Sequence, residues 1–546
     1  MMVFGCITLL LAVSLAQVGC GHKILMNAIL GEGSHFLCAA SIGERLVEQG
    51  HNVTFLISNA YAHRASDPKY SQLFDFVVFR HPIPVEKVHE QFEAFNERAF
   101  MPASAQMWTL TEVMRDGRAD DCDAVLGDVE IMNHFRSANY SAIIYDIGWL
   151  CPVIIAKHFN IPYIALSAVS SPCTVTFSSG SDNSPAYVPA IFSGFSNKLN
   201  FMERVQNSIG HIFILLFGIY FRMPYDDLKG KYNIASDTSM DQLFAQSELF
   251  LINSDFSVEF PCAIPPNVIP VGGLTTRPSN QLPDGLEKFM QSSGQDGVIV
   301  CTMGTYFTSV PIQVVNDFFN AFARLPQKVI FQLRIIPSGI TLPPNVYTLP
   351  WLPQNDLLGH EKTRAFMYQG GNNGFYEALY HAVPIVVVPI HGDQYDTGAK
   401  VSAHEIGITI DKLTLTEKKI HDALRDVITI DKLTLTEKKI HDALRDVITN
   451  DSYKRNMERL SAMFLDRPMT PSKKAAFWID HFLKHGGAQY QIPFVNLSFV
   501  ERNLLDVLVF FIGCFALVSI VLVFMGTFCL RFIRHLLRRI SKEKTE

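Results

Sequence analysis

The sequence predicts an α/β protein: two Rossmann-like domains with parallel sheets, followed by one C-terminal transmembrane helix. Three observations predict it. His22–Leu30, Leu37–Gly50 and Asn52–Ser58 read in turn as a buried strand, an amphipathic helix and a second strand, and that βαβ opening implies a parallel sheet. A second opening of the same kind starts at Gly297–Phe307. Near the end, Val507–Leu530 runs for 24 residues without a charge. At 1.5 Å per residue that is about 36 Å, enough to cross a bilayer.

The elements follow in chain order. Residues 1–16 are short and apolar, with Ser14 and Ala16 at plausible −3 and −1 positions, and read as a secretory signal peptide that lacks the usual basic n-region. Gly31–Phe36 reads as a turn, and Gly50 as the C-cap of the helix after it. Ser141–Gly148 is a later strand and Cys151–Asn160 the helix after it. Pro261–Leu274, rich in Pro and Gly, reads as the joint between a domain at 17–270 and one at 271–490. The second domain continues with a helix through Phe318–Leu325 and a strand at Lys328–Leu333. Residues 408–429 are identical to 428–449, a tandem duplication with a 20-residue offset. Two units are too few for a solenoid, so the second copy reads as an insertion.

Composition limits the function. The 546 residues are 48% hydrophobic, with a net charge of −6, which leaves no basic footprint for nucleic acid. The ten cysteines show no CxxC pairing. Cys151 and Cys301 lie in apolar surroundings and read as buried thiols, and a lumenal disulfide stays open without an assignable pairing. Asn52, Asn139, Asn450 and Asn496 stand in glycosylation acceptor triplets. Arg531, Arg534, Arg538, Arg539, Lys542 and Lys544 follow the span, which places the tail, 531–546, in the cytosol and the bulk of the chain in the lumen.

Trp351–Gln394 is the most informative stretch. Trp351 offers a flat apolar face for a base, and Gln354 an amide for a base edge. Gly370 and Gly371 let the backbone approach a ligand. Asn372–Ala382 reads as a helix start, where free N–H groups can meet a diphosphate. Pro384–Ile390 reads as a buried strand, and Asp393 and Gln394, just past it, suit sugar hydroxyls. This ordered series (WLPQ, GG-x-NG-xx-EA, VP, DQ) resembles the signature of the membrane-bound UDP-glycosyltransferases, the group that includes UDP-glucuronosyltransferases. The resemblance covers almost the whole chain from Gly21.

The resemblance implies the GT-B arrangement, with an N-terminal acceptor domain, a C-terminal UDP-sugar domain, and a last helix near Ala475–His485 that crosses back onto the first domain. It implies that His35 is the general base and Asp146 the carboxylate that hydrogen-bonds it. It implies that Thr305, Trp351, Gln354, Gln369, Gly371, Asn373, Gly374, Glu377, Asp393 and Gln394 hold the donor. No cofactor or metal is expected; UDP-sugar is a substrate. Asp121-Cys122-Asp123 spells a metal-binding DxD, but lies in a charged, helical-looking run and reads as a solvated helix face.

Two departures fall on the leaving-group side: Gln369 where the family usually has His, and Gln332 where it often has Arg, with Arg334 near enough to compensate. The expected activity is inverting transfer of a glucosyl or glucuronosyl group from a UDP-sugar to a hydroxyl of a small lipophilic molecule, of the detoxification type. The acceptor would be held between Phe74 and Phe221. The alternative is a lumenal binding or partner subunit of weakened catalysis. The implied partners are UDP-sugar, a lipophilic acceptor and the membrane, with homo- or hetero-oligomers open. The implied address is the endoplasmic reticulum membrane, single-pass type I, with Lys542 and Lys544 resembling a dilysine retrieval signal.

Overall fold

The computed structural model describes residues 21–28, 33–98, 111–175, 180, 183–304, 312–333, 336, 338–410, 436–502 and 504–543. The signal segment, Thr305, Arg334 and the first copy of the duplicated helix lie outside the described residues.

Two parallel sheets organise the chain. The first has seven strands in the order β3-β2-β1-β4-β5-β6-β7. They are β1 (Lys23–Asn27), β2 (Asn52–Ser58), β3 (Asp75–Phe79), β4 (Ala142–Asp146), β5 (Tyr163–Ser167), β6 (Phe250–Ile252) and β7 (Val268–Pro270). The second has six in the order β10-β9-β8-β11-β12-β13: β8 (Val298–Thr302), β9 (Lys328–Gln332), β10 (Val346–Leu349), β11 (Thr363–Tyr368), β12 (Ile385–Val387) and β13 (Gly407–Thr409). Central strands such as AIIYD and VIVCT are buried along their whole length, as a sheet covered by helices on both faces requires. Two parallel sheets in two α/β domains are the expected fold class.

The strand orders fix where ligands can bind. In the first sheet the winding reverses between β1 and β4, and in the second between β8 and β11. The crevice beyond the carboxyl ends of strands at such a reversal is where open α/β sheets take ligands. The segment after β1 carries His35, and β4 ends on Asp146. Thr302 ends β8, and Gln369–Gly371 follow β11.

Several expectations are corrected. His35 lies in the first turn of the Gly33–Glu48 helix rather than in a turn; the helix starts four residues before Leu37 because Gly33 (φ +65°) supplies the left-handed entry. Pro261–Leu274 is more than a joint, because it contains β7, which extends the first sheet. Cys151 is no free thiol: Cys122–Cys151 and Cys173–Cys262 are disulfides, while Cys38 and Cys301 are buried thiols. The DxD spelling is not a solvated face. Asp121 is fully buried between Arg118 (2.7 Å) and His81 (3.1 Å), whereas Asp123 reaches Lys231 and Tyr232.

The Pro471–His485 helix packs on the first domain. Ala475, Ala476, Ile479 and Phe482 are buried in one apolar cluster with Phe36, Ile42 and Leu46. Burying each large side chain contributes about 1.5–3 kcal/mol. In the second domain, Glu437–Thr449 (the second copy of the duplicated helix) sets Ile440, Leu444 and Val447 into the core. Residues 492–546 form a separate unit whose Leu505–Glu543 helix contains, within Leu505–His535, an 18-residue window of mean hydropathy 3.1. By length and composition this is a candidate membrane span.

Candidate active site

The first element of the site is a histidine–carboxylate pair. His35 Nδ1 stands 2.5 Å from Asp146 Oδ2, with the His35 side chain 22% exposed and Asp146 nearly sealed at 2%. Asp146 is fixed by its position: it ends a buried strand, its amide donates to Asn27 Oδ1 (3.2 Å), and its Oδ1 accepts from the Gly148 amide (2.9 Å). Burial alone would push the His35 imidazole down. The charge and hydrogen bond of Asp146, with the charge of Asp393, outweigh it and hold His35 above its ordinary range. With Nδ1 committed to Asp146, the other ring nitrogen is the one left to take a proton. Asp393, at the start of the Gln394–Ala403 helix, is itself pushed up by burial, against the opposing charges of Lys400 and His35.

A cleft of about 460 Å³ includes Ser34 and Leu37, which flank His35 in the chain, in its lining, while His35 and Asp146 themselves do not line it. Ser34, Leu37 and Ser41 of the first helix form one wall. Trp351, Gln354, Gln369, Gly371, Asn373, Gly374 and Glu377 line the other, so seven of the ten expected donor residues meet in one place. Trp351 is 54% exposed and can present its ring to a base. Glu377 accepts from Gln354 Nε2 (2.6 Å) and Thr275 Oγ1 (3.2 Å), and burial pushes its carboxyl up to about 7. The floor is the start of the Asn372–Tyr380 helix, entered through Gly370 at φ +103° and capped by Gly371. The free N–H groups there form an anion-binding end.

The two amides replacing charged groups are placed differently. Gln369 lies over Gly304, so close that a Cβ there would stand 2.3 Å from Nε2, and Gly304 sits at φ +92°, where a side chain is strained. Gln332 is tied into the sheet edge: its Oε1 accepts from Thr302 Oγ1 (2.7 Å), which in turn accepts from the Gly304 amide (3.0 Å).

Asp393 and Gln394 do not line this cleft. Gln394 is buried, and its Oε1 accepts from the Ile390 and His391 amides (2.9 and 3.1 Å), which shapes the Asp393 turn from within. Phe74, one end of the expected acceptor region, is core against Phe55 and Tyr70.

Sequence reasoning missed the contacts that join the domains. Asn372 Nδ2 donates to the carbonyls of Ala168 (2.9 Å) and Asn253 (2.8 Å), and Asn253 Nδ2 donates to Asn373 Oδ1 (3.1 Å). Lys400 Nζ reaches Glu259 (2.8 Å) and Ser170 (3.1 Å). Within the second domain, Arg277 grips Asp356 with both nitrogens (2.6 and 3.0 Å) beside Gln354, a contact the sequence also did not signal. The pairs are up to 230 residues apart, and spacing along the chain gives no signal for them.

Comparison with known proteins agrees with this geometry. The sequence model of the family described as "UDP-glucoronosyl and UDP-glucosyl transferase" matches residues 22–432 and again 427–543, so the match breaks inside the duplicated segment. The chain is 31% identical over 545 residues to UDP-glucuronosyltransferase 2B17 of Mus musculus, covering 97% of this chain and 96% of that one. It is 31% identical to UDP-glucuronosyltransferase 2B15 of Homo sapiens, covering 94% of each. Among solved structures, the glycotransferase of kitacinnamycin superposes with a TM-score of 0.58 at 17% identity, over 85% of this chain and 99% of that one. The spinosyn forosaminyltransferase SpnP superposes with a TM-score of 0.56 at 13% identity, over 85% and 100%.

Proposed function

The chain belongs to the UDP-glucuronosyl and UDP-glucosyl transferase family and is a UDP-glycosyltransferase, and from that premise we propose inverting transfer of a hexosyl group to a hydroxyl of a small lipophilic acceptor. The observation that carries the reading is the His35–Asp146 pair opening beside a cleft lined by the donor motif. His35 takes the acceptor proton through its free ring nitrogen while Asp146 holds the imidazolium that forms. The acceptor oxygen attacks the anomeric carbon as its bond to UDP breaks. One displacement inverts that carbon. The leaving diphosphate carries the negative charge into the N-terminus of the Asn372–Tyr380 helix, with Gln369 donating beside it. The helix end and side chains do here what a metal does elsewhere, so the proposed mechanism needs no ion.

The same reading places Glu377 on the ribose, Trp351 on the uracil, and Asp393 on the sugar from the His35 side. We place the enzyme at the endoplasmic reticulum membrane with residues 17–490 lumenal. Two disulfides support an oxidising compartment. A second reading, a partner subunit of weakened catalysis, draws on one observation: Gln332 and Gln369 are neutral where charge-assisted bonds would be about twice as strong.

The test is glycoside formation by microsomes expressing the chain, with UDP-glucose and UDP-glucuronate offered separately against small phenols and alcohols. Acceptor-dependent glycoside that persists in EDTA supports the reading. UDP-sugar binding without glycoside supports the partner subunit instead.

A further inference from the structure

We infer, on the reading of the first domain as the acceptor domain, that Asp396 is a positioning residue: its carboxylate clamps the Ala190–Phe195 loop and sets the Phe192 ring at the lip of the transfer site. Asp396 belongs to the second domain, one helical turn beyond Asp393 on the Gln394–Ala403 helix. Its two oxygens serve one purpose. Oδ2 accepts from the Phe192 amide (2.8 Å) and Oδ1 from the Gly194 amide (3.0 Å). A carboxylate accepting two backbone N–H groups makes charge-assisted bonds, and here they oppose the burial that pushes the Asp396 carboxyl up to about 7.

The loop is held from its own domain as well. The Ala190 amide donates to Asn207 Oδ1 (2.7 Å), and the fully buried Asn207 donates in turn to the carbonyls of Pro185 and Val188 (2.7 and 2.8 Å). The segment between these anchors takes conformations it would not choose freely. Phe192 sits at φ +70°, uncommon for a bulky residue. Gly194 sits at φ +68°, and a Cβ there would stand 3.2 Å from Tyr395 Cβ, so the loop lies flush on the helix.

The consequence is the place of one ring. Phe192 is 43% exposed, and a Cβ on Gly392 would stand 3.8 Å from its edge. Gly392 precedes Asp393, whose charge is felt by His35. An exposed aromatic face beside that segment suits an apolar aglycone. A bare docking role for Asp396 is already supplied by other contacts, because Lys400–Glu259 and Asn372–Ala168 join the same domains without it. Losing the carboxylate should therefore free the loop and leave the donor cleft intact.

The experiment compares wild type, Asp396→Ala and Phe192→Ala in steady-state transfer, with acceptor and donor varied separately. Hydrogen exchange over residues 185–195 is read on the same purified proteins. Asp396→Ala is expected to raise acceptor KM by about tenfold, with UDP-sugar KM within about twofold, as for loss of two charge-assisted bonds that touch only the loop. Exchange at residues 190–195 should quicken. Phe192→Ala should raise acceptor KM while the loop amides stay protected. Parallel rises in both KM values, or a fall in kcat alone, would reduce Asp396 to a structural contact and overturn the proposal. Should Asp396→Ala not fold, an unchanged acceptor KM in Phe192→Ala overturns it. A wild type that makes no glycoside would count against the transferase reading; the clamp then stands or falls on the exchange rates alone.

Discussion

Replacing Asp146 with asparagine changes the charge at one buried position and almost no volume. In the wild type, Asp146 Oδ2 accepts from His35 Nδ1 at 2.5 Å. Asparagine keeps an oxygen for the Gly148 amide, now at 2.9 Å from Oδ1, and turns its NH₂ toward Nδ1. Nδ1 must then accept, and the proton moves to the ring nitrogen that should receive the acceptor proton. A base in the wrong tautomer loses the general-base contribution, about 10² to 10⁴ in rate, or about 3–5 kcal/mol. The pH profile moves as well. Wild-type His35 is held above its ordinary range, so the rate should climb as pH rises through that raised value. Without the Asp146 charge, the largest remaining influence is burial, which lowers the pKa, so the limb should shift to lower pH. Stability follows the same sign. A raised histidine contributes stability below its unfolded pKa, lost as pH rises through the folded one, and Asp146→Asn should abolish that dependence. The assay is kcat/KM for glycoside formation from pH 5.5 to 9. A variant keeping more than a tenth of the rate, or a limb that stays in place or moves up, would refute the pairing as the origin of basicity.

His35→Ala should abolish transfer while UDP still quenches Trp351 or binds calorimetrically, because His35 itself does not line the cleft and the donor-motif residues Trp351–Glu377 belong to the second domain; loss of UDP binding would contradict this. Gln369→His should raise donor kcat/KM by roughly tenfold through a charge-assisted bond to the diphosphate, and an unchanged or lower value would show a site already adapted to the amide. Deleting either duplicated copy gives the same chain and shortens the connection between Ile410 and the helix at Glu437 from 26 to 6 residues. Closure entropy then favours the shorter chain by about 1 kcal/mol, seen as a higher unfolding midpoint at undiminished activity. A lower midpoint would mean that both copies pack. Protease added to sealed microsomes should remove only the basic tail, and digestion of residues 17–490 would overturn the orientation.

What could be read in the sequence was local. Strands β1, β4 and β8 announced themselves as buried apolar runs, and the stretch from Trp351 to Glu377 gathered seven residues that do meet in one cleft. His35 was legible as a candidate but misplaced, because GEGSHF spells a turn while the helix already begins at Gly33. The disulfides were not legible, since Cys122 pairs with Cys151 and Cys173 with Cys262 across 29 and 89 residues that carry no spacing signal. Asp121 looked solvated because Arg118 and Asp120 surround it in sequence; only the fold brings His81 over it and closes the site to water. Asp396 and Asn207 show the same limit: their partners are backbone amides and carbonyls of one loop, which no side-chain pattern can encode.

The neutral Gln332 and Gln369 concentrate the leaving-group problem on the backbone. On the proposed mechanism the diphosphate gains charge as the sugar departs, and the groups that answer it are the amides opening the Asn372–Tyr380 helix, with Gln369 alongside. Those amides are aimed by the same residues that close the two domains, because Asn372 and Asn373 bond to Ala168 and Asn253 from the helix's first turn. On that mechanism, the contacts that join the domains and the amides that answer the leaving charge share one helix turn. A contact that loosens the interface should cost turnover more than donor affinity, since the N–H groups matter most when the charge develops. This separates the Asn372 stitch from the Asp396 clamp: the first acts through kcat, the second through acceptor KM, although both hold the same pair of domains.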